Sequence, residues 1–216
     1  MTIRAVLWDF GGVITSSPFE SFRRFEQEQG LPQDLIRTIN STNPDTNAWA
    51  QLESSQISVD EFDQLFAEEA SARGHKIRGA DVLKLLSGDI RPIMVRALER
   101  IKVNYKIGCL TNNVRNAGEG PGMARDAAKA TQVEAVMDLF DAVVESSKVG
   151  VRKPNPAFYQ LACEALEIEP SEAVFLDDLG INLKPAKAMG MRTIKVLSAE
   201  QALTELEQHL DMPLLD

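Results

Sequence analysis

The apolar residues of this 216-residue chain fall into two rhythms. In some places they form short unbroken runs: Ala5-Val6-Leu7-Trp8, Lys106 to Thr111, Asp141 to Ser146, Ala173-Val174-Phe175-Leu176 and Arg192 to Leu197. Runs of that length without alternation read as strands covered on both faces, as in a parallel sheet. Elsewhere the apolar positions recur at helical spacing: Phe19, Phe22 and Phe25; Phe62, Leu65 and Phe66; Ile93, Val95, Leu98 and Ile101. Helix starts are marked by Ser17-Pro18-Phe19-Glu20 and Ser58-Val59-Asp60-Glu61, which read as capping boxes, and by Asn155-Pro156. Gly30-Leu31-Pro32 stops the first helix. Further helices are expected over about 124–140, from Asn155 to about Leu166, before Gly190, and from Ala199 to Leu210. Residues 116–123 are glycine-rich and expected to form a mobile loop.

From Pro92 onward, strands and helices alternate, which predicts βαβ units. The first strand is separated from the others by a block of helical segments around a polar loop, Asn40 to Asp45. The expectation is an α/β fold with a Rossmann-like, doubly wound parallel sheet. Residues 1–15 and 92–216 form its core, and residues 16–91 form an α-helical cap inserted after the first strand.

Charge and composition narrow the function. A formal charge of −9 disfavours nucleic acid and anionic membrane surfaces as partners. No apolar run approaches a membrane span, and none reads as a signal peptide. Cys109 and Cys163 sit in apolar settings and read as core fillers of a reducing compartment, so the cytoplasm is expected. Trp8, Phe10 and Trp49 read as core, with Phe10 also placed to line a site mouth. His75 and His209 read as solvated.

Candidate chemistry gathers at strand ends. Asp9 ends the first apolar run and is followed by Gly11 and Gly12. On that stretch alone it reads equally well as a turn cap or a reactive group. Thr111, Lys153 before Pro154, and the pair Asp177-Asp178 also fall at strand ends or in the loops beyond them. A parallel sheet puts these ends on one edge, where α/β proteins bind ligands. Adjacent carboxylates repel unless a cation lies between them, and Mg2+ prefers such oxygen ligands.

These residues resemble the haloacid dehalogenase superfamily of aspartate-nucleophile hydrolases. Within it, they are similar to the subgroup that includes the N-terminal phosphatase domain of soluble epoxide hydrolase. The resemblance is carried by the stretches 175–186 and 145–154 and by the order of the four motifs. It implies Asp9 as nucleophile and first Mg2+ ligand, with the Gly11 carbonyl as a second. It implies that Thr111 and the Asn112 amide bind phosphoryl oxygens beside Gly11 and Gly12. Lys153 would neutralise nucleophile and phosphate; Asp178 would hold the metal, with Asp177 adjacent or bound through water. Lys148 competes for the lysine role, but only Lys153 precedes a proline.

One position departs from the family pattern. Gly11 stands where most phosphatases of the family carry an acid/base Asp. Three readings follow. The first is a Mg2+-dependent phosphatase of a small phosphorylated metabolite, slowed by Gly11. The second is a 2-haloacid dehalogenase, which also lacks that Asp but has no need of the Asp177-Asp178 pair. The third is a non-catalytic module for a phospho-ligand or protein partner. Substrate identity and oligomeric state stay open, a homodimer included.

Overall fold

The computed structural model describes residues 2–114 and 127–215. Strands β1 (Ala5–Trp8), β2 (Lys106–Thr111), β3 (Ala142–Glu145), β4 (Ala173–Asp177) and β5 (Arg192–Lys195) form one sheet in the order β3-β2-β1-β4-β5. Each pairing is parallel. Successive residues of β1 enter opposite layers: Val6 and Trp8 join one apolar cluster, Ala5 and Leu7 the other. That is why the strand reads as an unbroken apolar run, since neither face meets water.

Helices α6 (Pro92–Lys102), α7 (Ala127–Met137) and α11 (Ala199–Leu210) contribute to the cluster around Trp8. The short helix α8 (Ser146–Val149) follows β3, and helices α9 (Pro156–Leu166) and α10 (Gly180–Ala188) contribute to the cluster around Leu7 and Phe175. The sheet is therefore doubly wound, as the alternation predicts. The chain runs from β1 outward to β2 and β3, then crosses back to β4 on the other side of β1. The carboxyl end of β1 lies at that reversal, where a crevice opens in such sheets.

Between β1 and β2 run α1 (Pro18–Glu28), α2 (Leu35–Ser41), α3 (Ala48–Glu53), α4 (Val59–Ser71) and α5 (Gly79–Leu83). They pack on an apolar cluster of their own, centred on Phe22, Ile36, Phe62 and Phe66, which also reaches Val114. The block joins the sheet layer through two crossing segments. Thr15 and Ile90 form an antiparallel bridge, and Arg91 N–H donates to the Ile14 carbonyl at 2.8 Å.

Local sequence signals hold with instructive exceptions. Ser58 and Glu61 form a reciprocal capping box. Asn155 caps α9 by accepting from Ala157 N–H, with Pro156 opening the helix. The box read at Ser17-Glu20 does not form; the Ser17 side chain makes no capping bond and its hydroxyl donates to Asp178 Oδ2. The last strand ends at Lys195, short of Leu197, which is three-quarters exposed. Trp8 and Phe10 are core, whereas Trp49 is only partly buried. His75 and His209 are half-buried, where full solvation was expected. The glycine-rich residues 116–123 lie outside the described residues, as does the start of the helix expected from residue 124.

Candidate active site

The carboxyl edge of the sheet gathers the charged residues by register. Trp8 of β1 pairs with Cys109 of β2 and Leu176 of β4. Asp9, one residue beyond, is therefore level with Leu110 of β2 and with Asp177 at the end of β4, and Thr111 follows one residue further along β2. Asp9, Thr111, Asp177 and Lys153 are all buried.

Lys153 is the centre of the arrangement. Its side chain is 1% exposed, and Nζ lies 2.8 Å from Asp9 Oδ1 and 2.8 Å from Asp177 Oδ2. Burial by itself would lower the Lys153 pKa, but the two carboxylates outweigh it and hold the group above the ordinary lysine range. The ammonium therefore stays charged. Lys148, its rival in the sequence, is 70% exposed and pairs with Glu145.

Asp9 Oδ1 also accepts from Phe10 N–H at 2.7 Å. Both contacts fall on Oδ1, so the lone pairs of Oδ2 are the ones left for chemistry. Burial pushes the Asp9 carboxyl well above its usual range, with Asp177 and Asp178 adding to the effect and Lys153 opposing it. Asp177 is fully buried and has both oxygens engaged: Oδ1 by Leu179 N–H at 2.8 Å, Oδ2 by Lys153, and both by Asn182 Nδ2. Asp178 is only part-buried; desolvation, then Asp177, push its carboxyl up to about 6. One oxygen each from Asp9, Asp177 and Asp178 lies within 4.8 Å of the others. Three carboxylates against one ammonium leave the cluster with an excess of negative charge. An all-oxygen donor set of that sign fits a hard divalent cation.

The two glycines differ in what they permit. Gly12 has φ +80°, a conformation that side chains resist, and a Cβ there would overlap the Asp178 carboxylate. Gly11 has φ −70° and ψ 128°, ordinary for any residue. Among the described residues no heavy atom lies within 4 Å of where its Cβ would be. A side chain at position 11 is thus not excluded by space.

Several supporting contacts went unread in the sequence, the side-chain role of Asn112 among them. Asn112 grips the Lys153 backbone in both directions, its Oδ1 accepting from Lys153 N–H at 2.9 Å and its Nδ2 donating to the Lys153 carbonyl at 3.1 Å. If Asn112 meets an anion, it does so through its own backbone N–H. Asn113 bonds Glu145, Ser146 and Ser147, which fixes the loop after Thr111. Asn182 holds Asp177 from the first turn of α10, and Tyr159 holds the Asn182 carbonyl at 2.7 Å. The five-residue spacing from Asp177 to Asn182, strand end to first helical turn, is a signal that could have exposed the first of these contacts. Arg152 Nε lies 2.9 Å from Glu53 Oε2, close but off the line of a hydrogen bond, and its Nη1 donates to the Pro44 carbonyl at 3.0 Å. The residue before Lys153 is thereby tied to the helical block.

Residues 3–190 match the family described as haloacid dehalogenase-like hydrolase. The chain is 32% identical over 220 residues to mouse "Acyl-CoA dehydrogenase family member 10" and 31% identical over 221 residues to mouse "Bifunctional epoxide hydrolase 2". Those matches take in 98% and 96% of this chain but only 19% and 39% of the relatives, so the chain spans a minor part of each. It is also 32% identical to "Phosphatase MT3486" of Mycobacterium tuberculosis, over 91% of this chain and 88% of that protein. Among solved structures, a HAD-like family hydrolase from Porphyromonas gingivalis superimposes with a TM-score of 0.69 at 22% identity, over 98% of this chain and all of that one. A Bacteroides thetaiotaomicron enzyme of the same family, crystallised with magnesium and inorganic phosphate, gives a TM-score of 0.60 at 20% identity, over 94% and 98% of the two chains.

Proposed function

This chain belongs to the haloacid dehalogenase-like hydrolases, and on that premise we propose that it hydrolyses a small phosphate monoester, with Mg2+ bound and Asp9 as nucleophile. The observation that carries the reading is the buried Lys153 ammonium, 2.8 Å from Asp9 Oδ1 and 2.8 Å from Asp177 Oδ2, beside a third carboxylate.

Asp9 and Asp178, with the Gly11 carbonyl, would hold the cation. Asp177, whose oxygens are engaged by protein donors, serves chiefly to anchor Lys153. When bound, Mg2+ screens the carboxylates from an incoming phosphate and neutralises charge on the transferring group. Asp9 Oδ2 attacks phosphorus; the ester P–O bond breaks and the leaving oxygen departs with its electron pair. The aspartyl-phosphate on Asp9 is then opened by water, which restores the carboxylate and releases phosphate. Lys153, the Thr111 hydroxyl and the Asn112 N–H face the phosphoryl oxygens and stabilise the charge that develops there. Gly11 offers no proton to the leaving oxygen. The reaction therefore favours leaving groups that need little protonation: aryl, acyl or anomeric sugar phosphates.

The helical block, residues 16–91, would act as the cap over this edge. The net charge of −9 fits a small substrate better than nucleic acid or a membrane surface. Among the described residues no helix is long and apolar enough to cross a membrane.

The dehalogenase reading is weaker, because three converging carboxylates would repel a haloacid anion and that chemistry has no use for a metal. The deciding experiment is a panel of phosphate monoesters, with and without Mg2+, run beside 2-haloacids. Phosphate release that requires Mg2+ and vanishes in Asp9→Asn is the expected result. Halide release without phosphate release would return the site to the dehalogenase class. Binding of phosphorylated ligands with no turnover of either kind would mark a non-catalytic module.

A further inference from the structure

Ser17 has the setting of a helix cap: Pro18 follows it, Glu20 stands three positions on, and its backbone is extended. Yet its side chain makes no capping bond. At Asn47, Ser58, Asn155 and Ser198, by contrast, the cap side chain accepts from an N–H of its own helix. The Ser17 hydroxyl instead donates to Asp178 Oδ2 at 3.2 Å, across 161 positions of sequence.

The other side of Asp178 explains why such a donor matters. Gly12 lies so close to this carboxylate that a Cβ would overlap it. That contact limits where the carboxylate can go, but steric contact alone does not fix how it rotates. A directed O–H donor does. Giving up a cap to make this contact breaks a local rule, and such breaks concentrate where function requires them.

We propose that Ser17 is a positioning residue for the divalent-cation site: it orients the Asp178 carboxylate and ties it to the first helix of the inserted block. This rests on the reading of Asp178 as a Mg2+ ligand. Because Ser17 opens α1, the seat of the helical block and the geometry of the cation site are linked through one hydrogen bond. Outer partners of metal-ligating carboxylates typically change metal affinity by about 10–100-fold when removed.

The test is calorimetric titration of Mg2+ alone into the full-length, metal-free protein near neutral pH, with thermal melts of the same samples before metal is added. Wild type is compared with Ser17→Ala, Ser17→Gly and Ser17→Thr. Ala and Gly, both without a hydroxyl, should each weaken Mg2+ binding by about tenfold or more, and Thr should restore it. If Ser17 is only a helix cap, Ala should lower the metal-free Tm by roughly 2–4 °C, Gly should recover most of that loss, and Mg2+ affinity should be the same in all four proteins. That pattern overturns the proposal while leaving the phosphatase reading intact. A wild-type protein that takes up no Mg2+ overturns both the proposal and the metal-dependent reading.

Discussion

At the scale of single residues, the site is a contest between burial and charge. Three carboxylates converge where water is scarce, and among the described residues the Lys153 ammonium is the cation that opposes them. Asp9→Asn should abolish turnover, because a neutral amide is both a poor nucleophile and a weak metal ligand; wild-type phosphatase rates in that variant would remove Asp9 from the mechanism. Lys153→Ala leaves Asp9 and Asp177 facing each other unneutralised. It should eliminate activity and destabilise the fold by about 3–5 kcal/mol, the cost of breaking a buried ion pair. Full activity in Lys153→Ala would mean the lysine is only structural. Gly11 offers the most informative change. Its backbone angles suit any residue, and the space beyond its Cα is open, so Gly11→Asp should fold without strain. A positioned acid contributes about 10²–10⁴-fold. The gain should appear chiefly on alkyl phosphates, whose leaving oxygen needs a proton, and little on aryl phosphates. Rates on the two substrate types compared across wild type and Gly11→Asp decide the matter; a wild type already equal on both would show that some other group serves as the acid.

At the scale of elements, several contacts between the helical block and the sheet layer lie beside the candidate site. Ser17 reaches Asp178 from the start of α1. Ser55, just past the end of α3, donates to the Ser147 carbonyl at 3.0 Å. Glu53, in the last turn of α3, faces Arg152 beside the lysine loop. Burial raises the Glu53 carboxyl above its ordinary pKa even with Arg152 opposing. Removing the guanidinium would therefore leave a buried carboxylate without its counter-charge. Arg152→Met should cost about 3 kcal/mol, the low end for a buried pair, since the Arg152 side chain is 21% exposed. Adding Glu53→Gln should recover much of the loss, because a neutral pair carries no unpaired charge. Urea unfolding of the single and double variants measures this, and equal losses in both would show that the pair is not coupled.

At the scale of the whole molecule, the charge of −9 works against an anionic substrate at long range, so attraction has to be local. The same local excess sets how stability follows pH. Asp178 titrates at about 6 in the folded chain, above the ordinary aspartate value of 3.8, and Asp9 is shifted the same way. A raised folded pKa means that the folded state holds the proton more tightly. The associated stability is present below the ordinary value and is lost as pH rises through the folded one. The metal-free protein should therefore lose stability from this cluster between about pH 4 and about pH 6. Mg2+ binds the ionised carboxylates, so its stabilising effect should grow over the same window. Thermal melts with and without Mg2+ at about pH 5 and about pH 7.5 should show the larger shift at the higher pH. Equal shifts would mean that these carboxylates do not hold the ion.

The sequence by itself determined the layering and which polar residues gather at the carboxyl edge of the sheet. Unbroken apolar runs can be satisfied only between two layers, so β1, β2 and β4 were legible without coordinates. A parallel sheet sends every strand's carboxyl end to one edge, so Asp9, Thr111 and Asp177 had to meet. Turn and cap chemistry at Ser58 and Asn155 was equally plain, because those bonds close within a few residues. What the chain could not reveal is how each polar group divides its bonds among distant partners. Ser17 has the setting of a cap and becomes a partner of Asp178. Asp177 looks like a twin of Asp178 but is engaged by Lys153, Asn182 and Leu179. Asn112 stands beside Thr111 at the strand end yet gives its side chain to the Lys153 backbone. Glu26, one of three acids on α1, is buried and accepts from Asp34 and Ile36 N–H at 2.8 Å each, capping α2 from another helix. Local patterns are set by periodicity and steric preference, which a sequence displays. A hydroxyl or carboxylate bonds whichever donor or acceptor the packed layers bring within about 3 Å, and that choice exists only once the layers have closed.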